Sequence, residues 1–250
     1  VRRLLVLWDV DYTLVDSDGV GRELYQIVFQ EMFGGQLPQP GSMAGRTDRA
    51  IAIEVLTLAG VAEPRQRVDA FQLLMVAHAA EMADLVLERS RVLPGAAQAI
   101  AALAALAAPP GPDGGPGERA GPALVQSLLT GNVRALAEVK LGPLGLTDHL
   151  DLDAGAYGDA HEVRAELVGV ARASAARRYG SDFGGQATVL VGDTPLDVGA
   201  ALATGARAVG VATGSFTAED LAAAGAHAVL PDLADTDRAV AAILGSQWPQ

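Results

Sequence analysis

A chain of 250 residues, half of them hydrophobic, can bury a sizeable core and fits one or two globular domains. Its formal charge of −12 argues against sequence-independent binding to a phosphate backbone, and against nucleic acid polymers and anionic membranes as partners. With no cysteine there is no disulfide framework, no thiolate chemistry and no Cys-based metal site, which fits a reducing, cytoplasmic setting.

The first apolar run, residues 3–8, is short, continuous and rich in Leu and Val, which predicts a buried parallel strand. At five residues before Asp9, "LLVLW" is shorter than a signal-peptide core, and no stretch approaches the roughly 20 apolar residues that span a bilayer. Residues 19–91 show apolar positions at helical spacing ("GRELYQIVFQEMF", "DRAIAIEVLTLAG", "RVDAFQLLMVAHAAEMADLVLE") and no strand pattern. Pro94-Gly95 marks the return to the first domain, and the Pro/Gly-rich residues 109–122 read as a surface loop. Further strands are predicted within 122–132, 186–194, 206–214 and 226–232, separated by helical stretches. The result is a doubly wound α/β fold with a parallel sheet over 1–16 and 92–250, interrupted by a smaller helical domain over 17–91.

Polar residues follow the strands in a consistent way. The first strand runs into Asp9 and Asp11, the second into Thr130-Gly131-Asn132, and "TVLVGD" into Asp193, with Asp197 four residues on. In an open parallel sheet these positions converge on one crevice at the carboxyl ends of the strands. Two carboxylates about 4 Å apart repel by roughly 4 kcal/mol at an effective dielectric near 20, so such a cluster calls for a hard cation. Mg²⁺ suits oxygen ligands and is commonly shared with a substrate phosphate, for which Thr130 and the following helix N-terminus offer donors. Taken singly, "DVDYTL" and "GDTPLD" also read as strand ends with helix caps. An EF-hand does not fit, because its sixth and twelfth positions would be Leu14 and Val20.

"DVDYTL", "LLTGN" and "VGDTPLDV", in this order, resemble motifs one, two and four of the haloacid dehalogenase superfamily, and nearly the whole chain resembles its phosphoglycolate-phosphatase-like members with a helical cap. Tyr12 stands where those members usually have Gly. The resemblance implies a phosphatase acting on a small phosphate monoester. Asp9 would be the nucleophile and Asp11 the general acid/base, with Mg²⁺ held by Asp9, the Asp11 carbonyl and Asp193, and Asp197 in support. Thr130, Gly131, Asn132 and a lysine would hold the phosphate.

Many members place that lysine after the third strand, where this chain has "DAHEVRAEL" and no lysine; Lys140, the only lysine present, is therefore assigned the role. Asp11 counts against a dehalogenase, and the absence of a cap lysine counts against a phosphonatase. A phosphomutase using an Arg or His78 of the cap, or a non-catalytic phosphate- and metal-binding module, remain as alternatives. In the cap, Arg46 of "SMAGRTDRAI" is expected to meet an anionic group of the substrate, the competing reading being that Thr47 or Asp48 caps the next helix. His161 could reach the site from its loop, whereas His149 and His227 carry no signal. The chain is expected to be a monomer or homodimer.

Overall fold

The computed structural model describes residues 3–107 and 124–245; the loop expected over 109–122 lies outside them. The chain begins with strand β1 (Leu4–Trp8) and the two-residue strand β2 (Val15–Asp16). Four helices follow: α1 (Val20–Phe33), α2 (Asp48–Leu58), α3 (Pro64–Glu81) and α4 (Ala83–Arg89). Strand β3 (Arg91–Val92) and helix α5 (Ala96–Leu106) lead into β4 (Leu124–Leu128), α6 (Arg134–Leu141) and α7 (Arg164–Tyr179). Then come β5 (Thr188–Gly192), α8 (Pro195–Ala203), β6 (Arg207–Val211), α9 (Ala218–Ala223), β7 (Ala228–Leu230) and α10 (Thr236–Leu244).

Five strands form one parallel sheet in the order β4-β1-β5-β6-β7, so the first strand is interior, flanked by β4 and β5. All five residues of β1 are buried, as a strand covered on both faces requires. Its alternate side chains go to opposite layers: Leu4, Val6 and Trp8 join the core beneath α5, α6 and α10, while Leu5 and Leu7 join the core beneath α7 and α8. A third apolar cluster lies within α1 to α4 and includes Val133 and Leu136, so the beginning of α6 packs against the inserted helices.

Strands β2 and β3 pair antiparallel, Val15 with Val92 and Asp16 with Arg91. This ribbon sets side by side the two places where the chain passes between the sheet and the helical insertion. The sequence gives no strand pattern at Arg91-Val92, because two residues held only by their partner carry no periodicity. Among the described residues, no single helix is long and apolar enough to cross a membrane.

Just beyond the ribbon, Gly95 has φ +78° and caps α5 at its N-terminus. A Cβ there would lie 1.8 Å from the Leu233 carbonyl oxygen, in a contact where Leu233 N–H donates to the Pro94 carbonyl (3.2 Å). Both the backbone conformation and the close approach require glycine. Gly95→Ala is expected to cost about 1–3 kcal/mol of stability, read as a lower denaturant midpoint in equilibrium unfolding.

Candidate active site

Because β4, β1 and β5 are adjacent and parallel, the residues that follow them meet at one edge of the sheet. Asp9 N–H donates to the Val191 carbonyl (2.9 Å) and Leu129 N–H to the Trp8 carbonyl (2.8 Å), which extends the strand pairing to the site itself. Asp9, Asp193 and Asp197 are buried, and each offers a carboxylate oxygen within 4.8 Å of the others. This set of hard oxygen donors could hold a metal ion.

The cation beside Asp9 is Arg164, at the first position of α7. Its Nη2 lies 2.8 Å from Asp9 Oδ1 and 2.5 Å from Asp197 Oδ1, and it donates to the Leu129 carbonyl at 3.2 Å. Nη1 donates to the Gly45 carbonyl at 3.2 Å, while Nε is buried without a protein partner. The second oxygen of Asp197 accepts from Thr194 N–H (3.1 Å) and Oγ1 (2.6 Å), forming the capping box that starts α8. Burial raises the pKa of Asp9, with Asp197 adding to the shift and Arg164 opposing it. Burial also raises that of Asp193, helped by repulsion from Asp9 and Asp197.

Asp11 has a separate set of partners. Lys140 Nζ, which is buried, donates to both of its oxygens at 2.6 and 2.8 Å; Asn132 Nδ2 donates at 2.7 Å and Ser17 Oγ at 3.1 Å. Burial alone would raise the Asp11 pKa, but the Lys140 ammonium and these donors together hold it below the usual value. Lys140 also donates to Asn132 Oδ1 at 2.9 Å, and Asn132 donates to Thr130 Oγ1 at 2.9 Å. The structure thus brings together Asp9, Asp11, Thr130, Gly131, Asn132, Lys140, Asp193 and Asp197. It pairs Lys140 with Asp11, and gives the place beside Asp9 to an arginine in the segment where a lysine was sought. The signal the sequence carries is the position of Arg164 in "HEVRAEL" rather than its residue type.

The cap reaches the site through its backbone. Thr47 caps α2, its Oγ1 accepting from Ala50 N–H at 3.2 Å, and Arg46 forms an ion pair with Glu54 within the cap. Asp48 N–H donates to the Gly131 carbonyl (2.7 Å) and Arg49 N–H to the Gly158 carbonyl (2.9 Å). A Cβ on Gly131 would lie 2.0 Å from the Arg46 carbonyl oxygen, and one on Gly158 would lie 1.7 Å from that of Gly131. The buried Asp48 carboxylate accepts from Val133 N–H (2.7 Å) and Tyr25 Oη (2.9 Å), capping α6 where Val133 has no cap of its own. The sequence reading treated Asp48 only as a local cap.

Among the histidines, His161 Nδ1 accepts from Val163 N–H (2.9 Å) in a local turn, and His227 Nδ1 accepts from Ala208 N–H (3.1 Å). His78 pairs with Glu31 and Glu81 and does not line the cavity over the carboxylates. That cavity has a volume of about 250 Å³. A larger one of about 600 Å³, beside β4, is lined by His149, Arg134 and Arg178 and contains none of the strand-end carboxylates.

Residues 167–236 match the HAD-hydrolase-like family model. No curated protein matches the sequence significantly. Among solved structures, a hydrolase from Pseudomonas syringae superposes with a TM-score of 0.62 at 18% identity, covering 94% of this chain and 96% of its own. A "predicted phosphatase" from Clostridium acetobutylicum gives 0.65 at 14% identity, covering 95% and 98%. A "predicted phosphoglycolate phosphatase" from Haemophilus somnus gives 0.60 at 16%, also covering 95% and 98%. The chain has the haloacid dehalogenase-like fold. In this fold the family match runs from within α7 to the start of α10, and so includes Asp193 and Asp197 but not Asp9, Asp11, Lys140 or Arg164.

Burial raises the Asp48 pKa to about 6 against the partial opposition of the Val133 N–H and the Tyr25 hydroxyl. Between the unfolded value near 4 and this folded value, the folded chain holds a proton that the unfolded chain has lost. That contribution is therefore full below about pH 4 and is lost as pH rises through 6. Asp48→Asn is expected to flatten this part of the stability profile by on the order of 3 kcal/mol, measured by urea unfolding from pH 4 to 7.

Proposed function

We propose that the chain is a Mg²⁺-dependent phosphatase that hydrolyses a small phosphate monoester through an aspartyl-phosphate on Asp9. The observation carrying this reading is that two aspartates separated by one residue have different environments: Asp9 faces Arg164 and two further carboxylates, whereas Asp11 is paired with Lys140. Carboxylates kept in distinct surroundings are suited to distinct roles. The haloacid dehalogenase-like match and the phosphatase names of the structural neighbours agree with this assignment.

In the proposed reaction an Asp9 oxygen attacks phosphorus and the P–O bond to the leaving group breaks, with the departing alkoxide taking a proton from the Asp11 carboxyl. Lys140 makes that carboxyl a stronger acid, and the incoming phosphate dianion raises its affinity for the proton. A water oxygen then attacks phosphorus and the bond to Asp9 breaks, while Asp11 accepts the water proton. The Thr130 hydroxyl and the Arg164 Nε–H, which has no protein partner, would donate to phosphoryl oxygens, where fixed donors do most of the catalytic work, while Asn132, whose amide hydrogens go to Asp11 and Thr130, would orient that hydroxyl. Asp9 and Asp193, with Asp197 behind them, fit Mg²⁺ through their oxygen donors and their excess of negative charge. When bound, Mg²⁺ would supply charge neutralisation at the phosphoryl group.

The purified protein is expected to hydrolyse p-nitrophenyl phosphate with Mg²⁺, and Asp9→Asn to fall to the uncatalysed background. Full activity in that variant overturns the assignment. Mg²⁺ at about 100 times its Kd is expected to stabilise the fold by about 2.7 kcal/mol. This gain should shrink from pH 8 to pH 5, because Asp9 and Asp193 bind protons more tightly than ordinary aspartates and must release them to bind metal. Thermal unfolding with and without Mg²⁺ at the two pH values measures both effects.

A further inference from the structure

The cavity over Asp9 is also lined by residues that the phosphoryl chemistry leaves unused. Tyr12 lines it with φ 57°, a left-handed conformation that is costly for a bulky residue. Its backbone is fixed on both sides: Tyr12 N–H donates to the Val15 carbonyl at 2.7 Å, and Thr213 Oγ1 donates to the Tyr12 carbonyl. The residue is 43% exposed, and its hydroxyl has no partner among the described residues.

Arg22, at the start of α1, lines the same cavity and is exposed. The other cations there are engaged, Lys140 with Asp11, Arg164 with Asp9 and Asp197, and Arg46 with Glu54. Arg22 has no carboxylate partner among the described residues. Apolar surface comes from Met43, Ala44 and Ile51 of the cap.

Other polar side chains lining the cavity are already committed. Ser17 donates to Asp11, Tyr25 to Asp48, and Thr194 to Asp197. A polyhydroxylated leaving group would find few free side-chain partners here. A flat ring would find a tyrosine face, an unpaired guanidinium able to stack on it, and apolar cap residues.

We propose that Tyr12 and Arg22 form a stacking subsite, and that the substrate is a phosphate monoester whose leaving group carries a compact planar ring close to the ester oxygen. This rests on the phosphatase reading above. Tyr12 is then a residue that determines specificity, and its strained backbone conformation is retained to aim the ring into the cavity.

The test compares kcat/KM for benzyl phosphate with that for cyclohexylmethyl phosphate, two esters of similar size and leaving-group basicity that differ in planarity. The unsubstituted enzyme is expected to prefer the benzyl ester by about 3- to 10-fold. Tyr12→Phe should keep that ratio, and Tyr12→Gly should bring it toward one. Glycine adopts φ 57° without strain, so loss of folding will not mask the result. A ratio near one in the unsubstituted enzyme, or an undiminished ratio in Tyr12→Gly, overturns the subsite. No turnover of these esters or of p-nitrophenyl phosphate overturns the phosphatase reading, and the subsite with it.

Discussion

The site depends on one buried guanidinium. Arg164 neutralises Asp9 and Asp197, accepts its place at the end of β4 by donating to Leu129, and reaches the cap through Gly45. Without it, three carboxylates would share a nearly dry space with no fixed positive charge beside them, and repulsion there would be large relative to the 5–15 kcal/mol that keeps a typical domain folded. A delocalised planar cation suits this place better than an ammonium, because its separate N–H groups can serve several acceptors in fixed directions while the charge persists at any accessible pH. The fork of Arg164 therefore joins pieces of chain that are far apart in sequence.

A division of labour follows between the two cations. Lys140 lies deep against Asp11 and Asn132, Arg164 against Asp9 and Asp197. Each aspartate of the "DVD" pair thereby has its own positive neighbour, and the two can hold different proton affinities although one residue separates them. The fold makes this possible by ending β1 at the point where the chain turns: Asp9 remains in register with β5, while Asp11 has already left the sheet and faces α6.

The parallel sheet was legible because its strands are continuous apolar runs, and Asp9, Asp11, Thr130 and Asp193 were legible because each directly follows such a run. Other features depend on tertiary contacts that leave no periodic trace. The β2–β3 ribbon is too short to show alternation. Arg164 escaped because a lysine was expected in its segment, although its position was the informative part. Arg46 drew attention through its charge, yet the structure pairs that charge with Glu54 and uses the residue's carbonyl against Gly131. Asp48 reads locally as a cap of its own helix, and only the folded chain shows that its side chain caps α6 as well. The apolar face of α10 closes the layer beside α5.

The place of α6 has a consequence for how the inserted helices can be exchanged. By chain order it follows strand β4 of the sheet and carries the lysine that faces Asp11, yet Val133 and Leu136 are packed into the apolar cluster of the inserted helices, and its first turn is capped by Asp48 from that insertion. The helix is common property. Replacing residues 17–91 with an insertion from another protein would remove a wall and a cap from the element that positions Lys140. A working chimera must therefore bring the outer face of α6 along with its new cap, so the unit of exchange is larger than the insertion itself.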